Sequence, residues 1–157
     1  MRFIRSIALA VSPLALMFAI AAPNFLTAHH RSRQKRTMAD MRSLANALEA
    51  RATDADTYAI GAARVCGNIC AFASMTTVPL DELERALSPV YIRKLPRLDG
   101  WGNEFEVRVS AKSYAIRSRG SDDRFDANSY AMNHVTRSFE EDIVFSDGSF
   151  FQYPEGS

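Results

Sequence analysis

Met38-Ala39-Asp40-Met41-Arg42-Ser43-Leu44-Ala45-Asn46-Ala47-Leu48-Glu49-Ala50-Arg51-Ala52 sets Met38, Met41, Leu44, Ala45, Leu48 and Ala52 at three- and four-residue spacing, with polar and charged residues between them. Residues so spaced share one face of an α-helix, so the stretch predicts an amphipathic helix whose narrow apolar stripe must be buried against something. A β-domain of the same chain is the simplest partner. The segments on either side of the stripe turn that helix into a fold.

Before it, residues 7–26 are mostly apolar, interrupted by Ser12, Pro13, Pro23 and Asn24. At about 1.5 Å per residue, a helix of that length covers roughly 30 Å, the thickness of a bilayer core. A signal peptide is the competing reading, with Arg2 and Arg5 as its basic start and Ala19-Ile20-Ala21 as a small-x-small cleavage site. Both readings export the rest of the chain. Arg31, Arg33, Lys35 and Arg36 crowd the far side of the run, and no carboxylate precedes Asp40. Positive charge favours the cytoplasmic face, so this cluster runs against export. No Gly separates the run from the stripe, and one long helix reaching about Ala52, able to kink at Pro23, is expected. The chain therefore divides into residues 1–26, an anchor or signal segment, and residues 27–157, the domain it carries.

After the stripe, residues 53–78 lack periodicity, contain Gly61 and Gly67, and read as an irregular loop. Residues 79–88 begin with Pro and acids and carry leucines at helical spacing, which predicts a short helix. Leu95-Pro96-Arg97-Leu98-Asp99-Gly100-Trp101-Gly102-Asn103 is dense in turn formers and leads into alternation at Phe105, Val107 and Val109. Tyr114 to Ser118 reads as the hairpin partner of that strand. Residues 119–138 form a polar loop too long for a simple turn, a candidate functional loop. Ile143-Val144-Phe145 and Ser149 to Tyr153 flank Asp147-Gly148, a two-residue hairpin signal because both positions tolerate positive φ. The expected class is α+β: a long N-terminal helix packed on a small antiparallel sheet within residues 104–153.

The 157 residues, 47% apolar and 24% charged, make one ordinary globular domain. With 19 basic and 18 acidic residues, the net charge of +1 gives no reason to expect a nucleic-acid partner. Cys66 and Cys70 enclose three residues in a domain expected in an oxidising compartment, which favours a small-loop disulfide. His29, His30 and His134 do not cluster with them, which argues against zinc. The chain has no Gly-x-Ser-x-Gly, no Gly-rich phosphate loop and no His-Glu-x-x-His, so neither an enzyme nor a small-molecule substrate is expected. His134 reads as a loop or packing residue, and Trp101 as a turn-packing residue unless it is exposed.

Four stretches together resemble the major pseudopilin of bacterial type II secretion systems, a branch of the type IV pilin-like proteins. Ala22-Pro23-Asn24-Phe25-Leu26 is similar to the step where the family's apolar helix leaves the membrane, and Met38 to Ala50 comes where its helix enters the globular domain. Tyr91-Ile92-Arg93-Lys94-Leu95-Pro96 with Asp99-Gly100-Trp101-Gly102-Asn103 resembles the family's Tyr-Ile-x-x-Leu-Pro and Asp-Pro-Trp-Gly-Asn block, with Gly100 in place of proline. Tyr114 to Asp123 resembles the strand and loop ending Ser-x-Gly-x-Asp-Gly. Ser6 stands where the family carries a helix glutamate that pairs with a neighbouring subunit. The resemblance implies a structural subunit with a pilin-like fold, held by a single pass in the bacterial inner membrane with its domain in the periplasm. Its implied partners are other pseudopilin or secretion-system subunits, in homo- or hetero-oligomers. The resemblance also implies calcium, bound between the Gly-x-Asp-Gly loop and the acids before the last isoleucine. Asp122 and Asp142 occupy the matching places, with Asp126 in the same loop, and calcium suits such oxygen donors.

Overall fold

The computed structural model describes the backbone of residues 2–61, 74–126 and 134–155, with side chains from Phe25 onward. Helix α1, Arg2–Ala55, is the longest element at 54 residues. The chain divides into two compact units, Met1–Ser32 and Arg33–Ser157. The first unit is helical from Arg2 on. Phe25 and Leu26, at its described end, are exposed, and Phe25 stacks on His29 one turn later. The rest of the apolar run lies outside the described side chains. Among the described residues, no helix is long and apolar enough to cross a membrane.

In the larger unit the predicted stripe is buried: Met41, Leu44 and Leu48 have no exposed surface, and Met38 and Ala45 have almost none. Each such leucine contributes on the order of 1.5–3 kcal/mol through the apolar area it removes from water. Gln34 and Thr37 extend the buried face one turn towards the N-terminus, while Ala52 is only half-buried. Helix α1 stops at Ala55 because Asp56 turns left-handed at φ 54. Arg51 then donates to the carbonyls of Thr57 (3.3 Å) and Ala59 (3.1 Å), tying down the chain that leaves the helix.

The remaining elements are β1 Thr76–Val78, α2 Leu80–Leu87, β2 Glu106–Val109, β3 Tyr114–Ser118, β4 His134–Thr136, β5 Ile143–Ser146 and β6 Ser149–Pro154. They build a six-stranded sheet in the order β1-β2-β3-β5-β6-β4. The four strands expected from alternation are present, and the Asp147-Gly148 turn has φ values of 46 and 83, as a type I′ hairpin requires. Two strands correct the reading of the sequence. β1 lies inside the stretch read as an irregular loop, and β4 inside the stretch read as a polar loop; each has three residues, too few for alternation to register. β4 runs parallel to β6, so the sheet is mixed, not antiparallel.

One face of the sheet presents Val107, Val109, Tyr114, Ile116, Ile143 and Phe145 to a core shared with the stripe of α1 and with Leu80, Leu83 and Leu87 of α2. Side chains alternate along a strand, so Glu106, Arg108 and Arg117 project from the opposite face.

Candidate functional site

That opposite face is the first surprise, because its charges are buried. Arg117 is 1% exposed and Asp142 0%. Glu106 and Arg117 are paired directly across β2 and β3, which brings the Glu106 carboxylate to 2.8 Å from Nε and 2.5 Å from Nη2 of Arg117. Arg108 binds the other carboxylate oxygen of Glu106 at 2.9 Å, and Arg117 Nη1 lies 3.8 Å from Asp142. Two guanidinium groups thus face two carboxylates. Phe125 stacks on one of them, with the Arg117 guanidinium 3.7 Å from its ring centre, and the Arg119 guanidinium lies 4.5 Å from the same ring.

The loop carboxylates expected to hold calcium divide between two roles here. Asp142 Oδ2 accepts the backbone N–H of Asp126 (3.0 Å), and Asp126 Oδ2 accepts that of Asp142 (3.1 Å), a reciprocal clasp across the loop. Asp122, exposed, accepts the N–H of Arg124 instead. Among the described residues, no group of three His, Cys, Asp or Glu is placed to hold a metal ion. Arg117 already supplies positive charge at Asp142, and a divalent ion there would face its guanidinium. The thermal midpoint of the full chain is therefore expected to be the same with calcium as with a chelator. An upward shift with calcium would assign the loop to the ion.

The turn-rich segment is a docking device. Asp99, 4% exposed, accepts the N–H groups of Trp101 and Asn103 on Oδ1 (both 2.9 Å) and the Ser118 hydroxyl on Oδ2 (2.6 Å). Asn103 in turn donates to the carbonyl of Gly120 (2.9 Å). On the helix side, the N–H of Gly100 donates to the Thr37 hydroxyl (2.8 Å), which donates to the Arg33 carbonyl. A Cβ at position 100 would sit within 2.8 Å of the Arg33 carbonyl carbon, so the helix backbone admits only glycine there. Gly100→Ala is expected to lower stability by about 2 kcal/mol, read by chemical denaturation, because neither backbone can yield cheaply. Trp101 is half-buried and packs against the core.

A third cluster joins α1 to the hairpin. The Tyr114 hydroxyl donates to Glu49 and accepts the N–H of Gly148 (3.1 Å), and the Asp147 carboxylate accepts the N–H of Tyr114 (2.9 Å). Burial, then the bond to Glu49, pushes the Tyr114 hydroxyl far above its ordinary value, so it stays a donor at any physiological pH. Asp147 is also raised, chiefly by desolvation.

Cys66 and Cys70 lie outside the described residues, so their pairing is not part of this geometry. His134, half-exposed, lies 3.3 Å from Glu141 at the edge strand. The turn block and the acids near residue 142 were visible in the sequence. Arg117 and Glu106 were not: alternation assigns them to a solvent face, and Arg117 is buried there with Phe125 over its guanidinium and Asp142 beside it. The chain matches no protein-family model, no curated protein and no solved structure.

Proposed function

We propose that this chain is a membrane-anchored structural subunit of pseudopilin type, serving a type II secretion or related pilus-like apparatus. Residues 7–26 hold it by a single pass in the bacterial inner membrane, the domain lies in the periplasm, and equivalent helices pack side by side with other subunits. The observation that carries this reading is α1: a run apolar in sequence continues, within one helix, into a stripe buried against a sheet. A helix of that form joins two solvents, lipid for its first part and a protein core for its second. The docked turn at Asp99–Asn103 supports the same reading, since it is the block that most resembles the family. The buried clusters hold elements together, which favours a structural role.

Cell fractionation with N-terminal sequencing tests the anchor. The intact apolar run is expected in the membrane fraction, and removal of residues 1–26 should release a soluble, folded domain. A mature chain beginning near Ala22 in the soluble fraction would overturn the anchor in favour of a secreted monomer.

A further inference from the structure

Asp-Gly, the dipeptide whose glycine nitrogen is least shielded from the preceding side chain, occurs twice in the chain, at Asp99-Gly100 and Asp147-Gly148. The structure treats the two in opposite ways. Asp99 is buried with both carboxylate oxygens engaged, Oδ1 by two N–H groups and Oδ2 by the Ser118 hydroxyl, and the Gly100 nitrogen is held against α1 by Thr37. Asp147 and Gly148 stand exposed at the tip of the β5–β6 hairpin. Asp147 turns its carboxyl head back onto β3, where Oδ1 accepts the N–H of Tyr114 (2.9 Å). The Gly148 N–H donates to the Tyr114 hydroxyl (3.1 Å), which donates in turn to Glu49. A proton leaving the Gly148 nitrogen thus has a built path: onto the tyrosine oxygen as the tyrosine's own proton passes to the Glu49 carboxylate. The titratable groups facing Asp147 are Glu49 on α1, Tyr58 beyond its end and Tyr114 on β3.

We infer that Asp147-Gly148 is a site of spontaneous isoaspartate formation, through a succinimide closed by the Gly148 nitrogen on the Asp147 side chain. The nitrogen attacks Cγ of the protonated Asp147 carboxyl and a C–N bond forms. The C–O bond to the carboxyl hydroxyl breaks, and that hydroxyl leaves as water with the proton the nitrogen gave up. Water then reopens the ring at either carbonyl, giving aspartate or isoaspartate, so the mass of the chain is unchanged and no oxidant or cofactor enters. The Tyr114 N–H on Oδ1 polarises the carbonyl under attack. Desolvation of its head, with the charge of Glu49 adding to it, raises Asp147 above the usual carboxylate range, so the protonated, reactive form persists at milder acidity. The isoaspartyl form carries an extra backbone methylene, which the tight turn closed by the Ser146–Ser149 pair has no place for. The Gly148 N–H then leaves Tyr114, and the joint between the hairpin and α1 loosens.

The test incubates the full-length protein for weeks in mildly acidic buffer made with heavy-oxygen water, followed by peptide mapping with electron-transfer fragmentation. Each passage through the succinimide leaves one heavy oxygen at the residue. Label and isoaspartate are expected at Asp147 at least about tenfold faster than at Asp99, whose carboxylate must first give up three hydrogen bonds. Tyr114→Phe and Glu49→Gln each break the proton path while keeping side-chain shape. Each should slow labelling at Asp147 by about tenfold or more, a part of what a positioned proton acceptor supplies. A hairpin merely loosened by the substitution would react faster instead. No label at Asp147, equal rates at the two sites, or a folded variant that reacts as fast as the parent overturns the inference. The comparison of Asp147 with Asp99 is made within the parent chain, so it decides the site even if a variant does not fold. The isoaspartyl fraction, separated by chromatography, should melt at a lower temperature than the parent; an unchanged midpoint overturns the loosened joint.

Discussion

Arg117→Met is expected to destabilise the domain by about 3–5 kcal/mol, the largest loss of any single substitution considered, with a thermal midpoint lower by roughly 10 °C or more. The groups left behind set that magnitude. Methionine fills much of the same volume, so the loss is not a cavity. It strands the fully buried Asp142 without the guanidinium that lies against it, and leaves Glu106 with Arg108 alone. Removing one partner of a buried ion pair costs more than the pair contributes, because the orphaned charge cannot regain its water. The double variant Arg117→Met, Asp142→Asn should recover much of the loss, since Glu106 keeps Arg108 and no carboxylate is then stranded. Arg117→Lys should fall between, because an ammonium cannot make the paired bonds to Glu106 while stacking on Phe125. Denaturant titration of all three measures this. An Arg117→Met protein within about 1 kcal/mol of the parent would mean the charges are hydrated in solution.

Asp99→Ala comes second, with an expected loss of about 3 kcal/mol or more. One side chain accepts three hydrogen bonds, from Trp101 and Asn103 N–H and from the Ser118 hydroxyl, and alanine leaves all three donors to seek partners in a buried turn. Asp99→Asn separates hydrogen bonding from charge. Its carbonyl oxygen can keep the two N–H donors, and its amide can donate to the Ser118 oxygen, so a loss of only about 1 kcal/mol is expected. If the two substitutions cost the same, charge rather than the count of acceptors holds the turn. Because the turn also seats Gly100 against α1, Asp99→Ala should additionally raise amide exchange at Gly100, a readout that a general loss of stability would not single out.

These two residues differ in how visible they were. Asp99 sits in a block whose composition announces a turn, and aspartate at the head of such a block commonly bonds N–H groups a few residues on. Arg117 sits in Tyr114-Ala115-Ile116-Arg117-Ser118, where alternation puts it on the face away from the core, and an arginine there reads as solvated. All five residues of that strand are buried. The cause is the segment after Gly120, which returns over the outer face with Phe125 and ties itself shut through Asp126 and Asp142. No local pattern encodes a loop lying on a sheet. The same limit hid β1 and β4, whose three residues take their strand identity from the neighbours they pair with.

Local periodicity was enough to specify the stripe of α1, the short helix at Leu80–Leu87, the two hairpins and the Asp147-Gly148 turn, because each depends on residues within a few positions of one another. The apolar run ahead of the stripe was equally plain, since a stretch of apolar residues needs no partner to be recognised. Tertiary structure alone decided that the sheet is mixed and that Arg117 and Asp142 lie buried on its outer face, with Phe125 over the Arg117 guanidinium. Those outcomes join residues far apart in the chain, and which distant groups meet depends on how much apolar surface and how many buried polar groups the whole arrangement satisfies at once.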